Sequence, residues 1–329
     1  MVVLVTGGAG YIGSILTEQM IDQGHRVVVV DNLSRGHRAA VVPEAFFIQA
    51  DLNDQQALED IFRNYRIDSV MHLAACTSVE QSMKEPGRYF RNNVSCGINL
   101  LDCMIKHGVK HIVFSSSAAV YGEPEEVPVS EDSSLNPVNA YGDSKLVFER
   151  ILCWYSKSYG LKYISLRYFN VAGASQRFGA DHHPETNLIP IVVRAALGDI
   201  EYLPVFGDDY NTRDGTCVRD YINVLDIARA HILVLDSFGE GLGNRAYNLG
   251  NGEGFSVMEV IKTARKVTGA AIPVRVYPRR PGDPAVLIAD YRRAKEYIGW
   301  EPENSLLENI IRSAWLWQKE HPQGYNDAW

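Results

Sequence analysis

Short runs of β-branched residues alternate with longer amphipathic stretches through the first half of this chain, and that alternation restricts the fold more than any other feature. The runs fall at residues 2–6, 26–30, 46–50, 70–74, 111–115 and 163–167. Helical patterns lie between them at 12–23, 54–63, 86–107 and 140–159. Strands rich in Val and Ile with no polar alternation are buried on both faces, and strand–helix alternation of this kind builds a parallel, doubly wound sheet. The expected class is therefore α/β.

The turn after the first run shows what such a sheet would hold. Gly7-Gly8-Ala9-Gly10-Tyr11-Ile12-Gly13 follows the strand directly and opens the first helix. Glycines at 7, 10 and 13 allow a tight turn, close backbone approach to a pyrophosphate and close helix–sheet contact. The phosphates would sit at a helix N-terminus, where free N–H groups and the dipole favour negative charge. Asp31 ends the second strand 18 residues after Gly13. A carboxylate there accepts from the adenosine ribose hydroxyls and repels a 2′-phosphate, so NAD is favoured over NADP, although Arg35 and Arg38 lie close by in sequence.

Beyond about Asn170 the texture changes: Gly, Pro, Asp and Arg crowd residues 173–184, 207–215 and 279–284. Residues 1–170 are expected to form an NAD-binding Rossmann domain, and residues 171–329 a smaller C-terminal α/β lobe for substrate. A helical pattern at 224–238 and a strand pattern at 245–249 indicate that elements near 224–250 return to the first sheet.

A second constellation carries chemistry. Tyr141-Gly142-Asp143-Ser144-Lys145 places a phenol and an ammonium at i and i+4, on one helix face. A free tyrosine, with a pKa of about 10, is a poor base at neutral pH. A nearby ammonium and a positively charged nicotinamide both favour phenolate, which predicts a lowered value for Tyr141. Ser115-Ser116-Ser117 ends a strand, the side on which doubly wound sheets bind ligands, so a serine hydroxyl could bridge phenol and substrate. Taken alone, Tyr141 and Lys145 would read as a surface pair; the glycine turn and the serine strand end make them a site.

Charge and cysteine usage exclude other classes. Lys plus Arg is 32 and Asp plus Glu is 40, a net charge of −8 with no basic run, which argues against nucleic acid or an anionic membrane as partner. No apolar run reaches the roughly 18 residues that span a bilayer. The opening MVVLVTGGAG has neither a positive leader nor a small-residue cleavage site, and the five cysteines (Cys76, Cys96, Cys103, Cys153, Cys217) are odd in number and scattered. A reduced, soluble, cytoplasmic protein is expected. His182-His183 lacks a third ligand at metal spacing, Cys103 and Cys153 read as core thiols, and no metal ligand is assigned.

These motifs together resemble the extended short-chain dehydrogenase/reductases, and within them the UDP-glucose (UDP-galactose) 4-epimerase family. TGGAGYIGS, DNLSRGHR, HLAA with SVEQS, NNV, SSSAAVYG, YGDSK, LRYFNVAGA, NLIP, DGTCVRDYINV, YNLGNG and RRPGD carry the resemblance over nearly the whole chain. TGGAGYIGS and YGDSK mark only the superfamily, whereas LRYFNVAGA, DGTCVRDYINV and RRPGD are more specific to nucleotide-sugar epimerases.

The resemblance implies that Tyr141 is acid and base at the sugar 4-hydroxyl, Lys145 its tuner and nicotinamide-ribose contact, and Ser117 the bridging hydroxyl. It implies NAD contacts from Gly7, Gly10, Tyr11, Ile12, Gly13, Asp31, Asn32, Asp51, Leu52, Ala74 and Asn93, besides Tyr141 and Lys145. Phe169, Asn170, Asn187 and Leu188 would meet the sugar or diphosphate, Val205 and Phe206 the uracil, and Arg219 and Arg280 the diphosphate. Asp283 would take the uridine ribose hydroxyls. The implied reaction interconverts UDP-glucose and UDP-galactose by C4 oxidation to a 4-keto sugar with bound NAD, rotation and re-reduction. The family's helical dimer bundle implies a homodimer through the helices around 93–107 and 145–159.

Two positions depart from the family pattern. Thr77 stands where many members carry a lysine near the nicotinamide. Leu287 stands at a sugar-pocket position that is bulkier (Tyr) in some members and smaller in others; a medium side chain there makes the UDP-GlcNAc/UDP-GalNAc pair an expected second substrate pair. The competing enzyme class is a nucleotide-sugar dehydratase or decarboxylase. Dehydratases place an Asp-Glu pair after the serine strand, where this chain has Ala118 and Ala119, with Glu123 displaced past Tyr121-Gly122. A plain reductase would exchange its cofactor each cycle, and a non-catalytic NAD-binding module would not need Ser117, Tyr141 and Lys145 together.

Overall fold

The computed structural model describes residues 1–238, 241, 243–280 and 282–326. The first half runs β1 (Val2–Thr6), α1 (Tyr11–Asp22), β2 (Arg26–Asp31), β3 (Phe46–Gln49), α2 (Gln55–Asn64), β4 (Ser69–His72), α3 (Val79–Lys84) and α4 (Pro86–Phe90). It continues with α5 (Cys96–Lys106), β5 (His111–Ser117), α6 (Ala140–Tyr159) and β6 (Lys162–Tyr168). The second half holds β7 (Asn170–Ala172), α7 (Leu188–Leu197), β8 (Leu203–Phe206), β9 (Val218–Asn223), α8 (Val224–Ser237) and β10 (Arg245–Leu249). Then follow β11 (Gly254–Ser256), α9 (Val257–Thr268), β12 (Val274–Tyr277), β13 (Val286–Leu287), α10 (Arg292–Ile298) and α11 (Leu307–Glu320).

Seven strands form one sheet in the order β10-β6-β5-β4-β1-β2-β3. Every neighbouring pair is parallel. The strand order reverses between β1 and β4, so the C-terminal ends of those strands open a crevice there. Period-two alternation divides the sheet between two cores. Val3, Val5, Val27 and Val29 belong to one apolar cluster with residues of α1 and α8. Leu4, Val28 and Val30 belong to the other, with residues of α2 and α5. One sheet edge and one covering helix thus come from the second half of the chain: β10 pairs with β6, and α8 shares the cluster with α1. The smaller sheet centres on β9, flanked by β7, β11 and β13, over a third core from α7, α9 and α11.

The helical pattern at 86–107 is not one helix. It breaks into α4, a π-type turn at Arg91–Ser95, and α5. The buried Asn93 explains the widened turn: its amide accepts from Cys76 N–H at 2.8 Å and donates to the Cys76 carbonyl at 3.0 Å and to Ser144 Oγ at 2.9 Å. Those bonds hold the loop after β4 against α6.

Two buried histidines make the fold acid-sensitive. His72 Nδ1 lies 2.8 Å from Thr6 Oγ1 across the β1–β4 switch, and His231 Nε2 lies 2.7 Å from the Tyr168 hydroxyl. Burial, with the Lys145 charge second, lowers His72 to about 3, and burial lowers His231 to about 4. Both folded values lie below the unfolded value of about 6.5, so the unfolded chain takes up protons first as pH falls. Stability present at neutral pH should be lost below about pH 6.5, by up to ~1.4 kcal/mol per pH unit for each ring. Urea unfolding over that range should show a falling midpoint, and a midpoint unmoved by acid would contradict the neutral-ring assignment.

Candidate active site

The register of β5 with β6 sets Ser115, Ser116 and Ser117 beside Leu166, Arg167 and Tyr168 at the sheet's C-terminal edge. Asn139 starts α6, its side chain accepting from the Gly142 amide at 2.8 Å, and that cap puts Tyr141 in the first turn with Lys145 one turn on. The Tyr141 phenol lies beside Ser117 on the cleft wall, close enough for the serine to ease its ionisation, and Ser117 Oγ accepts from the Ala119 amide at 3.1 Å. The Lys145 ammonium, buried, donates to the Ser115 carbonyl at 2.8 Å and sits 4.9 Å from the Phe114 ring centroid and 5.9 Å from that of Tyr141.

The electrostatics differ from the sequence expectation. In the protein alone Tyr141 is raised, not lowered: burial dominates, and Ser117 opposes it only in part. Burial also brings Lys145 down to about 7. In each group burial outweighs what opposes it: Ser117 beside Tyr141, and the Cys76 and Glu149 side chains near Lys145.

Behind this pair lies a buried network that the motifs did not single out. Glu149 accepts from Ser116 Oγ at 2.6 Å, and Arg167 grips it with Nε at 3.0 Å and Nη2 at 2.6 Å. Arg167 Nη1 donates to the Tyr121 hydroxyl at 2.9 Å, and that hydroxyl donates to Asn248 Oδ1 at 2.6 Å. Glu149 is i+4 from Lys145, and Arg167 lies inside LRYFNVAGA, so the helix face was readable, while the pairing across β6 was not.

Gly7, Gly10, Tyr11, Ile12, Gly13, Asp31, Asn32, Asp51, Leu52, Ala74, Thr77, Ser117, Tyr141, Lys145, Phe169, Asn170, Asn187, Arg219, Asp283 and Leu287 all line one cleft of about 520 Å³. At its glycine end the residues fit a dinucleotide. Gly7 has φ +73°, and a Cβ on it would come within 2.6 Å of the Ala74 nitrogen; a Cβ on Gly13 would come within 2.2 Å of the Gly7 carbonyl oxygen. Gly10 caps α1 with no side-chain acceptor, which leaves first-turn amides for an anion. Asp31 accepts from the Ala9 amide at 3.1 Å and the Leu33 amide at 2.9 Å, and a carboxylate has further lone pairs for a ribose diol. Asn32 Nδ2 donates to Asp51 Oδ2 at 2.7 Å.

At the other end Arg219, nearly buried on β9, donates through Nη2 to Asp283 Oδ1 at 3.2 Å. Five expected residues do not line the cleft. Asn93 is engaged with Cys76 and Ser144, as above. Val205 is buried because β8 alternates, Leu203 and Val205 facing the lobe core while Pro204 and Phe206 do not. Leu188 packs against that same core. Arg280 is exposed and lies over the Phe206 ring, 3.9 Å from its centroid.

Comparison with known proteins agrees with this geometry. The family model described as the NAD dependent epimerase/dehydratase family matches residues 3–250. The chain is 49% identical to a UDP-glucose 4-epimerase of Halalkalibacterium halodurans, over 99% of this chain and 98% of that one. A crystal structure of UDP-glucose 4-epimerase superposes with a TM-score of 0.97 at 47% identity, covering 99% of this chain and 100% of its own. The UDP-glucose 4-epimerase from Brucella ovis in complex with NAD gives 0.93 at 44% identity, covering 96% and 97%.

Replacing Glu149 by Gln leaves a buried guanidinium without its counter-charge. Unfolding in urea should show a loss of about 3–5 kcal/mol, and a wild-type midpoint would mean that Arg167 is not dependent on Glu149.

Proposed function

The chain belongs to the NAD dependent epimerase/dehydratase family, and from that premise we propose that it interconverts UDP-glucose and UDP-galactose by inverting the sugar at C4. What carries the reading is one continuous cleft that joins the glycine turn, the Ser117–Tyr141 pair and Arg219. NAD, when bound, supplies the capacity to take a hydride from C4 and return it. The glycine turn and the first-turn amides of α1 receive its pyrophosphate, and Asp31 receives the adenosine ribose. Ala118 and Ala119 offer neither the acid nor the base that a dehydratase needs, and both are apolar.

Tyr141 takes the proton of the 4-hydroxyl and later gives it back, with Ser117 holding both oxygens in line. Lys145 contacts the nicotinamide ribose and stays fixed by the Ser115 carbonyl. Arg219 holds the diphosphate, and Asp283, already paired with it, takes the uridine ribose hydroxyls. Val205 faces the core, and neither Phe206 nor Arg280 lines this cleft, so no uracil contact is assigned to them. Anchoring at the nucleotide leaves the hexose, among Phe169, Asn170, Asn187 and Leu287, able to turn about its bond to phosphate.

We assign the dinucleotide to residues 1–170 with α8 and β10, and the sugar nucleotide to the rest of 171–329. No helix among the described residues is long and apolar enough to cross a membrane. A cytoplasmic location is supported by five free cysteines. A homodimer through α5 and α6 is supported by Trp154 and Tyr159, 64% and 51% exposed on α6.

Purified protein given UDP-galactose without added NAD should form UDP-glucose. Tyr141→Phe should lower turnover by about 10²–10⁴-fold with UDP-sugar affinity almost unchanged; near-normal turnover in that variant would remove the base assignment. Leu287 is a medium-sized side chain on the cleft wall, and on that ground UDP-GlcNAc should also be epimerised; complete inactivity on it beside active UDP-galactose would close that extension.

A further inference from the structure

On the flank of the large sheet, away from the cleft, α2 and α5 bring three ligating side chains to one point. Glu59 on α2, Cys103 on α5 and His107 at the C-cap of α5 offer a carboxylate oxygen, a sulfur and a ring nitrogen that all lie within 4.8 Å of one another. His107 Nε2 is 3.0 Å from Glu59 Oε1, and its ring stacks on Phe62 at 5.7 Å between centroids, which fixes the imidazole plane. Cys103 is 7% exposed, whereas the side chains of Glu59 and His107 are 18% and 22% exposed. The thiol therefore lies against apolar helix packing while the opposite side of the cluster opens to water.

We propose that Glu59, Cys103 and His107 form a binding site for one zinc-like divalent cation, with water in the fourth position. Sulfur, imidazole and carboxylate together are the donor set of zinc, and a thiol excludes magnesium and calcium, which take oxygen ligands. His107, the C-cap residue, is i+4 from Cys103 and its N–H bonds the Cys103 carbonyl at 3.1 Å, so the two side chains lie one above the other and both reach the same ion. Loading would form a sulfur–metal bond and release the thiol proton to water. Two exposed cations also lean on Glu59: Lys106 holds Oε2 at 2.9 Å, and Arg63 Nη2 lies 3.6 Å from Oε1. Both are long, solvated side chains that can swing away from an incoming ion.

The site has a structural consequence. One turn before Glu59 and Cys103, Gln55 donates to Asn99 Oδ1 at 3.2 Å, and Asn99 donates to the Leu52 carbonyl at 3.2 Å. Leu52 lines the cleft. A cation at Glu59, Cys103 and His107 would staple the same α2–α5 seam that carries this wall. The inference is independent of the catalytic reading, because none of the three residues lines the cleft.

The test uses the NAD-loaded protein, stripped with a chelator and titrated with Zn²⁺ against a chromophoric competitor, then with Co²⁺ followed by absorption. One equivalent should bind, Co²⁺ should give a thiolate charge-transfer band, and Zn²⁺ should raise Tm. Cys103→Ser and His107→Gln should each weaken binding by at least about tenfold. Both should also abolish the Tm rise, and Cys103→Ser should remove the cobalt band. Epimerase turnover of the metal-free variants should match the wild type. Absence of the band in the wild-type protein, or undiminished binding in both variants, would overturn the site.

Discussion

A carboxylate and a guanidinium buried side by side set the height at which α6 lies along β5. Glu149 holds Ser116 from the strand and Arg167 from the next strand, so helix and sheet edge cannot slide past each other without stranding a charge in the interior. The spacing of the serine, tyrosine and lysine side chains at the cleft then follows from the geometry of the two elements. Four residues of helix advance about 6 Å and two residues of strand about 6.6 Å. Tyr141 and Lys145, four apart on α6, therefore meet Ser117 and Ser115, two apart on β5 and taken in reverse order. Helix and strand run in opposite directions, as a parallel crossover requires, and each i+4 step on one matches a step of two on the other.

The same network reaches the second half of the chain. Arg167 passes through Tyr121 to Asn248, whose Nδ2 donates to the Val129 carbonyl at 2.9 Å and whose N–H donates to Glu131. Asn248 lies on β10, the strand that the second half contributes to the large sheet. Across the cleft, β9 uses its two faces differently. Arg219 faces the cleft, while Asp220 accepts amides from Asn251, Gly252 and Ala289 at 2.6–3.0 Å and so ties two other segments to β9. Arg219 thus lies one residue away from the lobe's own polar anchor. The two walls of the cleft are held by separate buried polar centres.

The large sheet was legible because its evidence is local: β-branched runs, helical periodicity and a glycine turn are each read within a dozen residues. The glycine, Asp31, Ser117, Tyr141 and Lys145 positions were legible for the same reason, since each sits at the end of a recognisable element. Partners distant in sequence were not. Arg167 and Glu149 are 18 residues apart and Tyr121 and Asn248 are 127 apart, so only the register of β5, β6 and β10 brings them together. Val205 shows the opposite failure. A resemblance names the segment, but period-two alternation on β8 decides which of its side chains faces the core, and the chosen one does. The helical pattern at 86–107 concealed its break because a π-type turn keeps the apolar face while inserting one residue's worth of width.

The largest departure from expectation concerns charge, and it has a physical logic. A cation beside a phenol lowers its pKa only when the pair is less desolvated than it is attracted. Here the pocket raises Tyr141 and brings Lys145 down to about 7, so burial disfavours both ionised forms. Such a pocket is poised rather than switched on. Any permanent positive charge placed against the phenol would act at the same low effective dielectric that raised it, and would therefore act strongly. An oxidised nicotinamide carries that charge and its reduced form does not. The basicity available from Tyr141 would thus rise and fall with the redox state of the partner it serves: ready to accept a proton when a sugar is to be oxidised, ready to return it when the ketone is to be reduced. Burial is what would make that coupling effective.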